Sequence, residues 1–362
     1  GAFDHIDHDY LLKTIGEAPG RELIRQWLKA GYVDAGVFNE TAEGAPQGGV
    51  ISPLLANIAL HGLEQALGVR HDNRGRVISA RGVVRYADDF VVFCESREDA
   101  EKVIDLLKEW LAIRGLQLSE EKTRIVHLTE GFDFLGFNVR LYPSKETNTG
   151  YKLRIKPSKD AQKRIRAKLR EQWRRLHGAN SQSVVRSLNP IIRGWAGYYR
   201  HVATGQTFTS LANWMYHREK RWMQRRHPNK SRTWQHARYF GRLNPRRQDR
   251  WVFGDTQTGM YLYKFNWADY QQYTPVRGKH SPDNPALREY WERRNAAKTK
   301  ESLPVKKARQ ARIQNHRCPV CGESIHNGEE IHAHHIDGRN NSDKVILLHL
   351  YCHQQVTASK GK

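Results

Sequence analysis

The chain has 362 residues, enough for two or three domains that each bury a core, which argues against a single small module. Its 60 Lys and Arg residues outnumber 38 Asp and Glu residues, and the formal charge of +22 predicts a polyanionic partner. No apolar run reaches the roughly 18 residues of a membrane span and no signal peptide opens the chain, so we expect an intracellular protein with no membrane partner.

The first sixty residues suggest two helical stretches separated by a loop. Residues 9–31 are predicted to be largely helical, and Asp7 is suited to cap the start of that helix. A Gly-rich turn at 43–49 precedes residues 52–60, whose Ser, Pro and apolar spacing suit a capped helix. The sequence therefore predicts a glycine loop that leads into a helix N-terminus.

Residues 82–94 form two β-branched and aromatic runs around a short acidic centre, which predicts a hairpin with Asp88 and Asp89 at its turn. Adjacent carboxylates at a tight turn repel each other unless a divalent cation neutralises them. Two Mg²⁺ ions that bridge a triphosphate and a primer hydroxyl are the expected use. The competing interpretation is an ordinary turn, because turns favour Asp for reasons unrelated to metals.

The middle of the chain changes from a mixed pattern to a helical one. A helix at 97–114 and strands around 124–128 and 133–140 predict an α+β domain. Helices rich in Arg and Lys follow, beginning with residues 159–177. The predicted domains are 1–150, mixed α+β; 151–277, helical; 278–310, a linker and DNA-binding segment; and 311–362, a small zinc domain.

Between residues 159 and 250, cationic residues alternate with aromatic ones, a pattern that predicts RNA binding. The cations would contact phosphates, while each aromatic ring either stacks on a base or fills the helical core. The side chains predicted to contact RNA are Arg174, Arg175, Arg193, Trp195, Tyr199, Arg200, Arg221, Arg225 and Arg226.

Three of the four cysteines lie near the C-terminus, which indicates a metal site rather than a disulfide framework. Cys318 and Cys321 form one pair, and His349 and Cys352 form a second pair with the same spacing. This pattern predicts a structural Cys3His zinc site.

The ordered motifs resemble those of the reverse transcriptases of group II introns. The resemblance rests on Tyr-Ala-Asp-Asp-Phe-Val-Val at 86–92 and on the Pro-Gln-Gly-Gly segment at 46–57 that precedes it. Residues 188–200 are similar to the maturase, or X, domain that forms the thumb of these proteins. The resemblance implies a reverse-transcriptase palm and a helical maturase domain.

Within that family, particular residues acquire expected roles. Asp88 and Asp89 would be catalytic and would hold Mg²⁺, and Phe3 would lie under the sugar of the incoming nucleotide, although a core phenylalanine is the competing interpretation. The remaining residues expected at the nucleotide pocket are Gln47, Gly48 and Gly49.

Matching Phe3 to the family's aromatic residue puts the first catalytic aspartate upstream of Gly1. We therefore expect an N-terminally truncated chain that lacks the fingers and does not polymerise efficiently.

The C-terminal segment is similar to the ββα-metal HNH endonucleases. The similarity implies that His335 activates the water, while His334 and His353 hold the nuclease's divalent metal. Two positions depart from the family pattern, Thr357 and Lys344, so a zinc-stabilised DNA-binding module without cleavage is an alternative.

Together these resemblances imply an α+β protein of the bacterial cytoplasm that binds intron RNA and assists its splicing. They also imply that its HNH domain nicks the target DNA and that its palm copies RNA into DNA at the nick, which inserts the intron (retrohoming). Its expected partners are group II intron RNA, target DNA and deoxynucleoside triphosphates, with Mg²⁺ and Zn²⁺ as cofactors. Two alternatives remain: a splicing maturase whose catalytic centres are inactive remnants, and a reverse transcriptase of another bacterial retroelement.

Overall fold

A computed structural model describes most of the chain and divides it into two compact units, Gly1–Arg70 with Val77–Pro275, and His71–Arg76 with Val276–Lys362. The described residues are 5–34, 37–39, 44, 51–73, 75–245, 247–273, 275–276, 280–281, 284–294, 305–325, 330–336 and 345–359. No helix among them is both long and apolar enough to cross a membrane.

The first unit begins with short helices and hairpins and ends with a bundle of longer helices. Its helices are α1 (His8–Ile15), α2 (Arg21–Lys29), α3 (Ser52–Ala59), α4 (Leu63–Ala66), α5 (Arg97–Ala112), α6 (Lys159–Arg175), α7 (Ser181–Tyr199), α8 (Gly205–Arg226) and α9 (Arg232–Tyr239). Its strands are β1 (Tyr32–Asp34), β2 (Val37–Asn39), β3 (Gly82–Tyr86), β4 (Asp89–Phe93), β5 (Phe132–Phe134), β6 (Phe137–Pro143), β7 (Tyr151–Pro157), β8 (Phe240–Gly241) and β9 (Val252–Phe253).

The helix predicted over residues 9–31 is two helices, because the chain leaves the helical conformation between Gly16 and Gly20. Gly16 follows α1 and Gly20 precedes α2, and their φ values of +64° and +84° are not those of a right-handed helix. The predicted cap at Asp7 is confirmed, since its carboxylate accepts a 2.6 Å hydrogen bond from the Tyr10 N–H. The apolar faces of α1, α2 and α3 share one core.

Strands β5, β6 and β7 form an antiparallel sheet that spans the domain boundary predicted at residue 150, because β6 pairs with β7 along its length. The strand predicted at 124–128 does not form. A turn in which Glu130 and Gly131 donate to the His127 carbonyl interrupts the chain there, and only one backbone bond, from Leu141 to Leu128, continues alongside the sheet.

The helical bundle that follows is organised by the apolar stripe predicted on α6. Ile165, Leu169 and Trp173 of that stripe are buried in one core with α7, α8 and the segment around Phe253. The Ser158 hydroxyl accepts from the Ala161 N–H at 3.0 Å and caps the start of α6. This core holds the cationic faces of α6 and α8 in fixed positions on the surface.

The second unit contains α10 (Val305–Ile313), which begins inside the predicted linker, and a strand–strand–helix succession. Strand β10 (Ile331–His335) pairs antiparallel with β11 (Val345–His349), and α11 (Leu350–Ser359) follows directly. This is the ββα order that the C-terminal resemblance implies. Its small core is formed by Ala311, Cys318, Ile325, Leu347 and Leu348.

Candidate functional site

The two predicted catalytic carboxylates lie at the tip of the β3–β4 hairpin, as the sequence indicates. Tyr86 pairs with Asp89 at the last register position, which leaves Ala87 and Asp88 as the two turn residues. Ala87 has φ +53°, a left-handed conformation that tight hairpin turns require. Both aspartates are exposed, so their oxygens are accessible to a cation.

Arg85 links this turn to helix α3, a connection that the sequence reasoning missed. Its Nη1 donates to the Asn57 side-chain oxygen at 3.0 Å and to the Ala87 carbonyl oxygen at 2.9 Å. The sequence feature that could have identified Arg85 is its position as a cation within an apolar strand, immediately before the acidic turn. Arg85 thereby connects the two motifs on which the family resemblance rests.

The two faces of the hairpin have different surroundings. Val83, Phe90 and Val92 pack against the core formed by α4 and α5. Side chains alternate along a strand, so Asp89 lies on the opposite face with Val84 and Tyr86, which are 50% and 65% exposed. The exposed face therefore combines an apolar surface, an aromatic ring and a carboxylate.

The other residues expected at the nucleotide pocket, Phe3, Gln47, Gly48 and Gly49, lie outside the described residues. Helix α3, which follows the predicted glycine loop, is described from Ser52 onward, with Pro53 in its first turn. Ser52 is buried.

Five neighbouring arginines of α6 and α8 form a cationic stripe along the adjoining faces of these helices, with Arg218 at its centre. Burial lowers the pKa of Arg218, and so do the positive charges of four neighbouring arginines. Its guanidinium carbon lies 4.9 Å from the centre of the Trp214 ring. No acidic side chain in the described part of the chain forms an ion pair with these arginines. The stripe consists of Arg170, Arg174, Arg218, Arg221 and Arg225.

Three of the predicted RNA-contacting arginines, Arg174, Arg221 and Arg225, lie in this stripe. Two others make contacts within the protein: Arg175 forms an ion pair with Glu171, and Arg226 donates to the carbonyl oxygens of residues 178 and 179. Sequence reasoning did not single out Arg170 or Arg218, although both lie one helical turn from predicted residues.

The remaining predicted RNA-contacting residues surround the C-terminal half of α7. Arg193 is exposed and lies over the Tyr263 ring at 5.3 Å. Trp195 is partly buried and packs on Tyr199 with 4.3 Å between ring centres. The structure places Tyr199 in the core, only 4% exposed, while Arg200 caps the end of the helix.

Four potential metal ligands, from Cys318, Cys321, His349 and Cys352, converge in the second unit. Their donor atoms lie within 4.8 Å of one another, as a tetrahedral zinc site requires. The His349 Nε2–H donates to the Ser324 carbonyl oxygen at 3.1 Å, which leaves Nδ1, 3.3 Å from the Cys321 Sγ, with its lone pair toward the sulfurs. The structure therefore brings together all four predicted ligands in a geometry that fits zinc.

Two thiols of this cluster have pKa values that are shifted in opposite directions. Burial raises the pKa of Cys318, but hydrogen bonds from neighbouring backbone N–H groups outweigh it and lower that pKa to about 7. Burial and the two adjacent sulfurs raise the pKa of Cys352 to about 12. Three thiolates this close repel one another, so a divalent cation is the group that would stabilise all of them.

The histidines assigned to a nuclease metal also lie together. The rings of His334 and His353 are 5.2 Å apart, and His332, which the sequence reasoning did not include, lies 5.4 Å from His353. Strand alternation places His335 on the opposite face of β10 from His334. The Thr357 hydroxyl donates to the His353 carbonyl oxygen at 2.7 Å, and Lys344 lies outside the described residues.

Two protein families match the chain. The reverse transcriptase (RNA-dependent DNA polymerase) family matches residues 1–139, and the maturase-specific domain of group II introns matches residues 162–240. The first match includes the β3–β4 hairpin, and the second includes the cationic stripe.

Individual proteins are also similar to parts of the chain. Protein YkfC of Escherichia coli K12 is 34% identical over 170 residues, which cover 37% of this chain and 43% of the relative. The group II intron-encoded protein LtrA of Lactococcus lactis subsp. cremoris is 30% identical over 201 residues, 39% of this chain and 34% of the relative. An uncharacterized 91 kDa protein in a cob intron of Schizosaccharomyces pombe is 28% identical over 275 residues, 55% of this chain and 34% of the relative. The aligned regions thus span less than half the length of these curated relatives.

Proposed function

We propose that the chain synthesises DNA on the RNA of its intron and binds that RNA. The chain is a homologue of group II intron-encoded proteins, with a region that matches reverse transcriptases and a region that matches their maturase-specific domain. The observation that carries the polymerase proposal is the hairpin that presents Asp88 and Asp89, tied by Arg85 to Asn57 of α3. The proposed substrates are deoxynucleoside triphosphates and the 3′-hydroxyl of a nicked target DNA.

In this proposal Asp88 and Asp89 hold Mg²⁺ through their exposed oxygens, the ligand type that Mg²⁺ prefers. Bound Mg²⁺ would neutralise the charge that develops on the phosphates during nucleotidyl transfer. Arg85 acts as a positioning residue, because its bond to the Ala87 carbonyl fixes the turn that carries both carboxylates. The exposed ring of Tyr86 offers a surface for the primer terminus.

Primer extension on an RNA template tests the polymerase proposal. We expect Asp88→Asn and Asp89→Asn each to lower synthesis by at least about a hundredfold, because both metal ligands are needed. Asp105→Asn is the matched control, an exposed aspartate on α5 beside Lys108. The assay is run with the chain and with a version extended upstream of Gly1, and RNA binding is measured in parallel.

The outcomes separate the alternatives. Loss of synthesis with RNA binding retained supports two-metal polymerisation at this hairpin. If both versions bind intron RNA but neither makes DNA, the splicing maturase with inactive catalytic centres replaces the proposal. If they make DNA on any RNA template without preference for intron RNA, a retroelement of another kind is favoured.

The RNA-binding part of the proposal rests on the cationic stripe. Arginine cannot lose its proton in a protein, so these five neighbouring guanidiniums, which have no acidic partner among the described residues, repel one another until an anion binds. The phosphate backbone of a nucleic acid carries negative charges at regular intervals, so one strand can contact several of these arginines along the two helices.

We also propose that the second unit nicks one strand of target DNA, with His334 and His353 holding the metal and His335 activating water. The ββα order and the 5.2 Å separation of the His334 and His353 rings support this assignment. The position of His335 on the other strand face favours the alternative of a zinc-stabilised DNA-binding module.

Nicking of a supercoiled plasmid that carries the target site distinguishes the nuclease from the binding module. If the unit is a nuclease, His334→Ala and His335→Ala should both abolish nicking. An unmodified chain that binds the plasmid without nicking it excludes the nuclease.

A further inference from the structure

A groove of about 430 Å³ lies between α6 and α7, apart from the cationic stripe. This volume is within the range of about 300–1,000 Å³ typical of small-ligand sites. Its lining includes two cations of α6, Arg164 and Lys168, and two aromatic residues of α7, Trp195 and Tyr198. The groove therefore combines positive charge with ring faces.

The two cations have no acidic partner among the residues that the structure describes. Arg164 and Lys168 lie one turn apart on α6, and both are exposed. Neither forms an ion pair with an acidic residue in the described portion of the chain, whereas the neighbouring Lys163 pairs with Asp160. An anion at the mouth of the groove would thus meet two uncompensated positive charges.

The aromatic wall is held in place by the rest of the first unit. The Tyr198 hydroxyl donates to the Leu135 carbonyl oxygen at 3.1 Å, while 52% of the residue stays exposed. Trp195 packs on Tyr199 at 4.3 Å and is edge-on to Phe265 at 5.6 Å. Rings that are already fixed lose little conformational freedom when a ligand stacks on them.

The side of the groove formed by α7 includes Gly194, an exposed residue with no side chain. A Cβ built on Gly194 would meet no heavy atom within 4 Å, so the space beside it is open. Pro190, one turn earlier, also lines the groove. A larger side chain at position 194 would therefore extend into open space at the groove.

We propose that this groove binds one unpaired nucleotide of a single-stranded polynucleotide, with its base against Trp195 and Tyr198 and its phosphate on Arg164 and Lys168. Bases in a duplex are stacked on each other and cannot present their faces to these rings, so the site selects single strands. The inference rests on the proposed nucleic-acid-binding function and specifies which form of nucleic acid the bundle recognises.

A bulky side chain at position 194, which lines the groove, tests this proposal. Gly194→Phe projects a ring into the groove, and Gly197→Phe is the matched control, on the same helix with equally open surroundings but outside the lining. Fluorescence anisotropy with the whole chain measures binding of a uridine-rich RNA of about twelve nucleotides and of a blunt RNA duplex of equal length. We expect Gly194→Phe to weaken single-strand binding roughly tenfold and to leave duplex binding unchanged, since it removes one base–aromatic stack.

Lys168→Glu is a second variant, at an exposed position whose replacement leaves the core intact, and we expect the same selective loss. A single-stranded DNA of the same length shows whether the site distinguishes the sugar. Unchanged single-strand binding in Gly194→Phe, or equal losses in Gly194→Phe and Gly197→Phe, would overturn the inference. Arg218→Glu combined with Arg221→Glu separately tests the broader function: if no RNA binds to the unmodified chain, the RNA-binding proposal fails, and if the double variant binds RNA as well as the unmodified chain, the cationic stripe is not the RNA surface, whatever the groove variants show.

Discussion

The hydroxyl of Tyr199 in α7 donates a 3.2 Å hydrogen bond to the carbonyl oxygen of Gly136, which lies 63 residues earlier in the turn between β5 and β6. Gly136 has φ +82°, and a Cβ at this position would lie 2.7 Å from the Tyr199 hydroxyl oxygen. The contact joins the reverse transcriptase region to the helical bundle, and the Tyr199 hydroxyl can come this near to the backbone because Gly136 has no side chain.

We expect Gly136→Ala to lower the free energy of unfolding by about 2–3 kcal/mol, because it adds a steric clash to the cost of a positive φ. Gly150→Ala is the control, with φ +71° and open surroundings, and should cost only about 1 kcal/mol. Tyr199→Phe removes the clashing atom, and the Gly136 carbonyl still accepts from the Ser158 N–H at 2.8 Å, so the double variant should recover part of the loss. Denaturant unfolding compares these variants with the unmodified chain, and equal losses in the two alanine variants would contradict the clash.

The salt dependence of RNA binding should report the arginine stripe. We expect Arg221→Ala with Arg225→Ala to weaken single-stranded RNA binding and to reduce the slope of log affinity against log salt by about 0.7 for each phosphate that the variant no longer neutralises. Arg175→Ala is the control, because its guanidinium is already paired with Glu171, and it should leave the slope unchanged. RNA-binding titrations at several salt concentrations measure this slope, and an unchanged slope in the double variant would exclude phosphate binding by Arg221 and Arg225.

Metal removal should affect the second unit alone. We expect the purified chain to contain one Zn²⁺, and a chelator to increase hydrogen exchange across β10, β11 and α11, because the four ligands come from both sides of the small core. Cys318→Ser should abolish the metal content, whereas Cys94→Ser, in the first unit, should not. Elemental analysis with peptide-resolved exchange is the measurement. A metal-free chain with full protection in these elements would show that the cluster does not need zinc.

The buried carboxyl of Glu219 should make the stability of the bundle depend on pH. Burial raises its pKa to about 8, an effect that Lys264 opposes and Asp249 reinforces. The folded state therefore binds a proton that the unfolded chain releases near its ordinary pKa of about 4.5, so stability falls as the pH rises from about 4.5 through 8. We expect Glu219→Gln to gain on the order of 3 kcal/mol relative to the unmodified chain between pH 5 and pH 8.5.

Glu171→Gln is the control for that prediction, since this glutamate is exposed beside Arg175 on α6. Unfolding free energies at several pH values test the difference between each variant and the unmodified chain. A Glu219→Gln advantage that stays constant with pH would mean that the carboxyl group is ionised in the fold.

The sequence by itself determined the elements and motifs whose signals are local. The Asp88–Asp89 hairpin, the stripe of Ile165, Leu169 and Trp173 on α6, and the paired zinc ligands each depend on spacing within one short segment, and the structure shows the hairpin, the buried stripe and the converging ligands. Turn geometry, helical periodicity and ligand spacing act over a few residues, so they can be read along the chain.

Only the tertiary structure decided which residues meet across long sequence separations. The sequence marks Arg85 as a cation within an apolar strand, but it does not identify Asn57 as its partner. It also does not show that arginines from two helices would surround Arg218, or that Tyr199 would be a core residue against Gly136. It also placed a strand at 124–128, where the structure has no strand and the chain turns after His127. These outcomes depend on how helices and sheets pack, and packing is set by the shapes of surfaces that come from distant parts of the chain.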